Sequence, residues 1–178
     1  MEQNWAELVE KEGPAVWRIC RRLLGDGADA ADAYQETFLS ALQVVQRQRV
    51  WNWPGLLRRL AARRALDGLR RRLSRPDTAA LWADGSDPVS RAAEPESIVF
   101  RDELAARLRR SLAKLPAAQA EAFCLRFFAD LGQDDIAALL DINKGAVRVL
   151  LHRARSRLRE LLDDDSRKPL AETRDVKA

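Results

Sequence analysis

Apolar residues return at steps of three and four along most of this chain, a period that belongs to helices packed along one face. Val147, Leu151, Ala154, Leu158 and Leu161 make one such stripe, and Leu56, Leu57, Leu60, Ala61, Ala65, Leu66, Leu69 and Leu73 trace another. Composition agrees, because 29 Ala, 26 Leu and 26 Arg stand against 17 β-branched residues in a chain of 178. Helix formers dominate. The reading is all-α, and the length allows one domain or two small ones.

Several function classes lose their raw material early. With 47% hydrophobic and 33% charged residues the chain reads as soluble and folded, and no window approaches eighteen uncharged apolar residues. The start, Met1-Glu2-Gln3-Asn4, is acidic and polar where a secretory leader would be basic and then apolar. A cytoplasmic protein without membrane insertion is expected. Cys20 and Cys124 sit inside apolar helical patterns and read as two small buried hydrophobes rather than a disulfide or a metal pair. His152 is the single histidine, so zinc sites and histidine-based catalysis are disfavoured. Asp29, Asp32 and Glu36 share a helix side that could face a metal, yet carboxylates at a helix start are already favoured by the macrodipole. No metal, no cofactor and no enzymatic activity are expected.

Punctuation divides the chain. A helical pattern from Trp5 is interrupted at Gly13-Pro14 and resumes to a stop at Gly25-Asp26-Gly27. A second helix is predicted from about Ala28 to Gln46, with Ala31, Tyr34, Phe38, Ala41, Leu42 and Val45 as its apolar face. The third follows Trp53-Pro54 and ends near Leu73. Residues 74–97 lose periodicity and carry Pro76, Gly85, Pro88 and Pro95, so they read as a flexible linker between two separately folded units, 1–73 and 98–162. The polar residues 163–178 read as a tail.

Charge is distributed unevenly. Residues 58–75 hold eight arginines against Asp67, and residues 144–159 hold six basic residues and no acid. Two basic helices in one small chain point to a polyanion, most commonly nucleic acid. Before the second of them lies a helix-turn-helix pattern. Counting from Gln133, small Ala137 takes the fifth position, where two helices approach closely, and Ile136, Leu140, Ile142, Val147 and Leu150 occupy interior positions. Asp141 stands at the turn, where glycine is usual, and tolerates left-handed backbone better than most side chains. Asn143 is the expected N-cap of the last helix. Beside the buried stripe of that helix runs a basic one, Arg148, His152, Arg155 and Arg159.

Read together, Asp29-Ala-Ala-Asp-Ala-Tyr-Gln-Glu-Thr-Phe-Leu and Ala65-Leu-Asp-Gly-Leu-Arg-Arg-Arg resemble the second region of bacterial RNA polymerase sigma factors of the extracytoplasmic-function group. Leu115 through Leu162, with Gly145-Ala-Val-Arg and His152-Arg-Ala-Arg-Ser-Arg-Leu, resembles their fourth region. The resemblance implies two helical domains, the second with the helix-turn-helix, that bind RNA polymerase core and promoter DNA, and it makes an anti-sigma factor a candidate further partner. It implies that Asp32, Gln35, Glu36 and Phe38 dock on polymerase, and that the helix carrying Arg63, Arg64, Arg70 and Arg71 faces the minus-10 element. It also implies that Arg148, Val149, His152 and Arg153 enter the major groove of the minus-35 element, with Lys144 and Arg155 on the same basic helix. Arg63 stands where an asparagine is common in that family. A stand-alone, dimeric helix-turn-helix regulator is the alternative.

Overall fold

The computed structural model describes residues 4–25, 27–74 and 95–167. Among them the first unit is α1 (Trp5–Leu24), α2 (Gly27–Val45) and α3 (Trp53–Leu73), and the second is α4 (Pro95–Ala113), α5 (Ala117–Phe127), α6 (Gln133–Leu140) and α7 (Lys144–Arg167). No strand occurs among these residues. The linker assignment falls largely on residues 75–94 and the end of the tail on 168–178, which lie outside the described residues. Among the described residues no helix is long and apolar enough to cross a membrane.

Asn4 starts α1 by accepting the Glu7 amide at 3.3 Å. Gly13-Pro14 does not interrupt this helix, contrary to the sequence reading. An internal proline costs about 3 kcal/mol, but Leu8, Val16, Ile19, Cys20, Leu23 and Leu24 are buried on both sides of it as one stripe, and that burial outweighs a single lost backbone bond. Gly13 has its own packing reason: a Cβ there would lie 2.7 Å from the Tyr34 hydroxyl, so a bare backbone lets α2 approach.

α2 turns a different face inward from the one its large residues suggest. Ala30, Ala33, Thr37, Ser40 and Ala41 are buried, Tyr34 and Phe38 pack half-buried at the edge, and Leu42 and Val45 are exposed. Small side chains let α2 lie close to α1 and α3, and the larger ones are left at the rim. Thr37 and Ser40 are accommodated because their hydroxyls donate to the carbonyls of Ala33 and Glu36, at 2.7 and 2.6 Å. α3 begins where Asn52 accepts the Gly55 amide at 2.9 Å, and its Leu57, Ala61, Ala62, Ala65, Leu66 and Leu69 are buried where it packs against α1, α2 and the helices of the second unit. Trp5 and Trp53 meet edge to face at 5.4 Å, fastening the starts of α1 and α3.

In the second unit α7 buries Val147, Leu151, Ala154 and Leu158 against α4, α5 and α6, the stripe read from the sequence. Asp141 ends α6 in left-handed backbone, φ 55° and ψ 48°, and Asn143 caps α7 by accepting the Ala146 amide at 2.8 Å. That α7 continues to Arg167, beyond Leu162, follows from contacts made by α4. Arg107 donates to the Leu162 carbonyl at 2.6 Å, and Arg107 and Arg110 hold Asp165 at 3.4 and 3.2 Å. An acid near a helix C-terminus is unfavourable by itself; these two guanidinium groups offset it. Cys20 and Cys124 are both unpaired and buried, and burial pushes the Cys20 thiol up to about 12 and raises that of Cys124 as well.

The two units touch. α3 packs against α4, α5 and α6, so they are not held together by a connecting segment alone.

Candidate nucleic-acid interface

The helix-turn-helix positions one group of candidates. Because Val147, Leu151 and Ala154 point inward, the side chains between them are turned out, and Arg148, Val149, His152, Arg153 and Arg155 are all exposed. Lys144 is exposed at the first turn, paired with Asp134 of α6 at 2.8 Å. The Arg148 Nε donates to Gln133 Oε1 at 3.3 Å, which holds its guanidinium over the gap between α6 and α7. Arg155 instead folds back and donates to the Leu151 carbonyl at 3.3 Å. Val149, 47% exposed, is an uncharged patch between cations. The arrangement presents long cationic side chains at the N-terminal end of a helix that is free along one side, the geometry that fits a major groove.

α3 carries the second group, and here the structure distinguishes residues that the sequence treated alike. Arg63 is exposed. Arg64 donates through Nε and NH2 to Ser40 Oγ, at 3.0 and 2.8 Å. Arg71 lies 3.7 Å from Glu36. Arg70 reaches out of its own unit to the carbonyls of Ala113 and Leu115, at 3.4 and 3.2 Å, and lies 3.8 Å from Asp67. Glu36, Leu39, Ser40, Gln43, Arg64, Asp67 and Arg71 line a cleft of about 440 Å³ between α2 and α3. Ion pairing thus joins a polymerase candidate, Glu36, to a DNA candidate, Arg71.

On α2, Asp32 and Gln35 are exposed and Glu36 is partly so. Phe38 is set apart from them: it packs half-buried against the core with its ring 5.0 Å from that of Tyr34.

Comparison with known proteins follows this division. The family model described as Sigma-70 region 2 matches residues 8–75, and that described as Sigma-70, region 4 matches residues 105–158. The ECF RNA polymerase sigma factor SigE of Mycolicibacterium smegmatis is 34% identical over 159 residues, covering 89% of this chain and 62% of that protein. This chain therefore spans about three-fifths of the length of SigE. The ECF RNA polymerase sigma factor SigD of Mycobacterium tuberculosis is 32% identical over 165 residues, covering 86% of this chain and 74% of SigD. The chain belongs to the ECF RNA polymerase sigma factors. Its fold is like that of the sigma factor RpoE from Bartonella quintana, solved in complex with the anti-sigma factor NepR, with TM-score 0.54, 20% identity and coverage of 92% of this chain and 99% of that one.

Two features of this sigma factor escaped the sequence reading. Leu39 is 59% exposed and Leu42 37%, and they continue the row begun by Asp32 and Gln35 at steps of four and three. The spacing was legible, but Leu42 was read as part of the apolar face because it is large and apolar, and Leu39 was assigned to neither face. Trp51, in the segment between α2 and α3, is 80% exposed with the Arg49 guanidinium 4.2 Å above its ring. Proximity to Pro54 and Gly55 marked a turn there without showing that the ring would be left outside.

Proposed function

We propose that this sigma factor brings RNA polymerase core to promoters by holding two DNA elements from one chain. α2 docks on the polymerase through Asp32, Gln35, Glu36, Leu39 and Leu42; Phe38 shapes that face from beneath. α3 faces the minus-10 element, with Arg63 and Arg64 nearest the bases and Arg70 and Arg71 nearer phosphates. α7 enters the major groove of the minus-35 element, where Arg148 and Arg153 are long enough to meet guanine edges, Val149 offers apolar contact, His152 one hydrogen bond, and Lys144 and Arg155 meet the backbone. The protein performs no chemistry itself and acts in the cytoplasm, where core and promoter are found. The likeness to a sigma factor solved with an anti-sigma factor supports a protein antagonist of this kind as a further partner.

The observation that carries this reading is the pairing, on one chain, of an exposed cationic α7 behind a helix-turn-helix with an exposed α2 row that mixes acids and leucines. A DNA-binding helix alone would serve any regulator; the second surface calls for a protein. The test is to mix the full chain with core RNA polymerase, select bound fragments from random DNA, and sequence them. Recovery of two elements at a constant separation, dependent on core, is expected. Binding of a two-fold symmetric site by a dimer without core would replace this function with that of a stand-alone regulator.

A further inference from the structure

Two side chains of α6 reach across the turn to cations of α7. Asp134 pairs with Lys144 at 2.8 Å, and Gln133 accepts from the Arg148 Nε at 3.3 Å. The frame behind them is fixed. Ile136 and Val147 are wholly buried, and the Ile142 amide donates to the Ala137 carbonyl at 3.0 Å. The Gly132 amide donates to Asp135 at 3.2 Å, which sets the backbone where Gln133 begins its helix. Asp135 is thereby accounted for as a cap, whereas Gln133, half-buried, turns its side-chain oxygen to α7. The atom it engages matters. A guanidinium carries several N–H donors in one plane, and it recognises guanine through a parallel pair that meets O6 and N7. In Arg148 the bond to Gln133 uses Nε, on the stem side of the fork, and among the described residues neither Nη1 nor Nη2 is hydrogen-bonded. A neutral amide oxygen holds the stem, where a carboxylate could take a parallel pair and occupy the fork. Arg153, the other arginine assigned to base edges, has no such brace among the described residues.

We propose that Gln133 is a positioning residue that sets promoter specificity: it holds Arg148 by Nε with the fork of Nη1 and Nη2 presented to a guanine, and it touches no base itself. The proposal rests on the assignment of α7 to DNA. An unheld arginine loses rotamer freedom when it docks, and one already held loses less. The brace also narrows the directions in which the fork can point, so a base pair that offers no matching acceptors is penalised more sharply. Arg153, unbraced, adapts to what it meets.

The experiment uses core polymerase bound to the full chain, or to its Gln133→Met, Arg148→Ala and doubly substituted forms. Methionine keeps the length and bulk of glutamine and removes the acceptor. Each form is titrated by fluorescence anisotropy against a labelled promoter duplex selected from random DNA by wild type, against that duplex with each upstream base pair replaced in turn, and against scrambled DNA. Gln133→Met should lose about fivefold of the preference for guanine at the one base pair where Arg148→Ala also loses it, the low end of what a bidentate contact contributes. Binding to scrambled DNA and its salt slope should stay at wild-type values, because Arg148 keeps its charge. The double substitution should lose no more preference than Arg148→Ala alone. A uniform weakening on every duplex would mean that Gln133 meets a phosphate itself and would overturn the proposal, as would additive losses in the double form. If wild type shows no base preference upstream, or Arg148→Ala alters none, the assignment of α7 to DNA fails. If Arg148→Ala loses a preference that Gln133→Met keeps, only the positioning role is lost.

Discussion

Arg148 and Arg159 are both exposed cations on α7, and the docking proposed above for this helix gives them different work. Arg148 lies one turn from the helix start and is steadied by Gln133, so it is aimed where base edges would be. Arg159 lies three turns farther on, where a helix leaving the groove meets only phosphates. Arg148→Ala should cost ~1–3 kcal/mol at one base pair and reduce discrimination between a selected promoter and scrambled DNA. Arg159→Ala should weaken both about equally, as titration of the holoenzyme against the two DNAs would reveal. Asp141 is a backbone problem rather than a recognition problem: in left-handed geometry a β-branched side chain is strained, so Asp141→Val should destabilise the fold by roughly 1–2 kcal/mol in urea unfolding. Asp165 makes stability depend on pH. Its partial burial would raise its pKa, but the Arg110 hydrogen bond and the charges of Arg110, Arg107 and Lys114 outweigh this and hold it below its ordinary 3.8. A carboxylate depressed in the folded state stabilises above its unfolded pKa, and that contribution fades as pH falls through the folded one. Asp165→Asn should therefore lower the melting temperature at pH 7, and the gap from wild type should close as acid titration passes below 3.8.

Elements are decided by which face is covered. The outer row of α2 includes Leu39, which is 59% exposed, so replacing it removes little packing. Leu39→Arg should change stability by no more than about 0.5 kcal/mol yet abolish co-elution with core polymerase in gel filtration; undiminished co-elution would remove this row from the docking surface. The inner contact between α1 and α2 behaves in the opposite way. Tyr34 is hemmed in by Trp17 and Phe38, at ring separations of 5.9 and 5.0 Å, so its hydroxyl cannot easily yield to a side chain at position 13. Gly13→Val should cost about 1–3 kcal/mol by overpacking, measured by urea unfolding, with no direct effect on α7. Helix starts and the turn before α7 were legible in the sequence because capping and turn chemistry are local: Asn143 and Asp141 do what their side chains favour. The inner face of α2 was not, since periodicity marks large residues as interior and here Ala30, Ala33 and Thr37 make the close contact instead.

At the scale of the molecule, the docking proposed for α3 and α7 on one chain would impose a distance on the promoter. One turn of DNA is about 10.5 base pairs, so five inserted between the elements would rotate one to the opposite side of the duplex. Transcription by the holoenzyme from a selected promoter should collapse on a five-base-pair insertion and partly return with a ten-base-pair insertion only if the connection between the units can lengthen to match. Equal activity at every spacing would mean that one unit alone carries recognition. The sequence by itself determined the all-α class, the helix-turn-helix and the two basic helices, because helical period, capping and charge depend on neighbours a few positions away. Only the tertiary structure decided what each of the similar arginines of α3 meets. Arg63 stays at the surface, Arg64 and Arg71 turn to α2, and Arg59 and Arg70 cross to the second unit. The choice depends on carbonyls and carboxylates brought close by packing from as far as 80 positions away, and no local pattern encodes which helix end will arrive beside a given guanidinium.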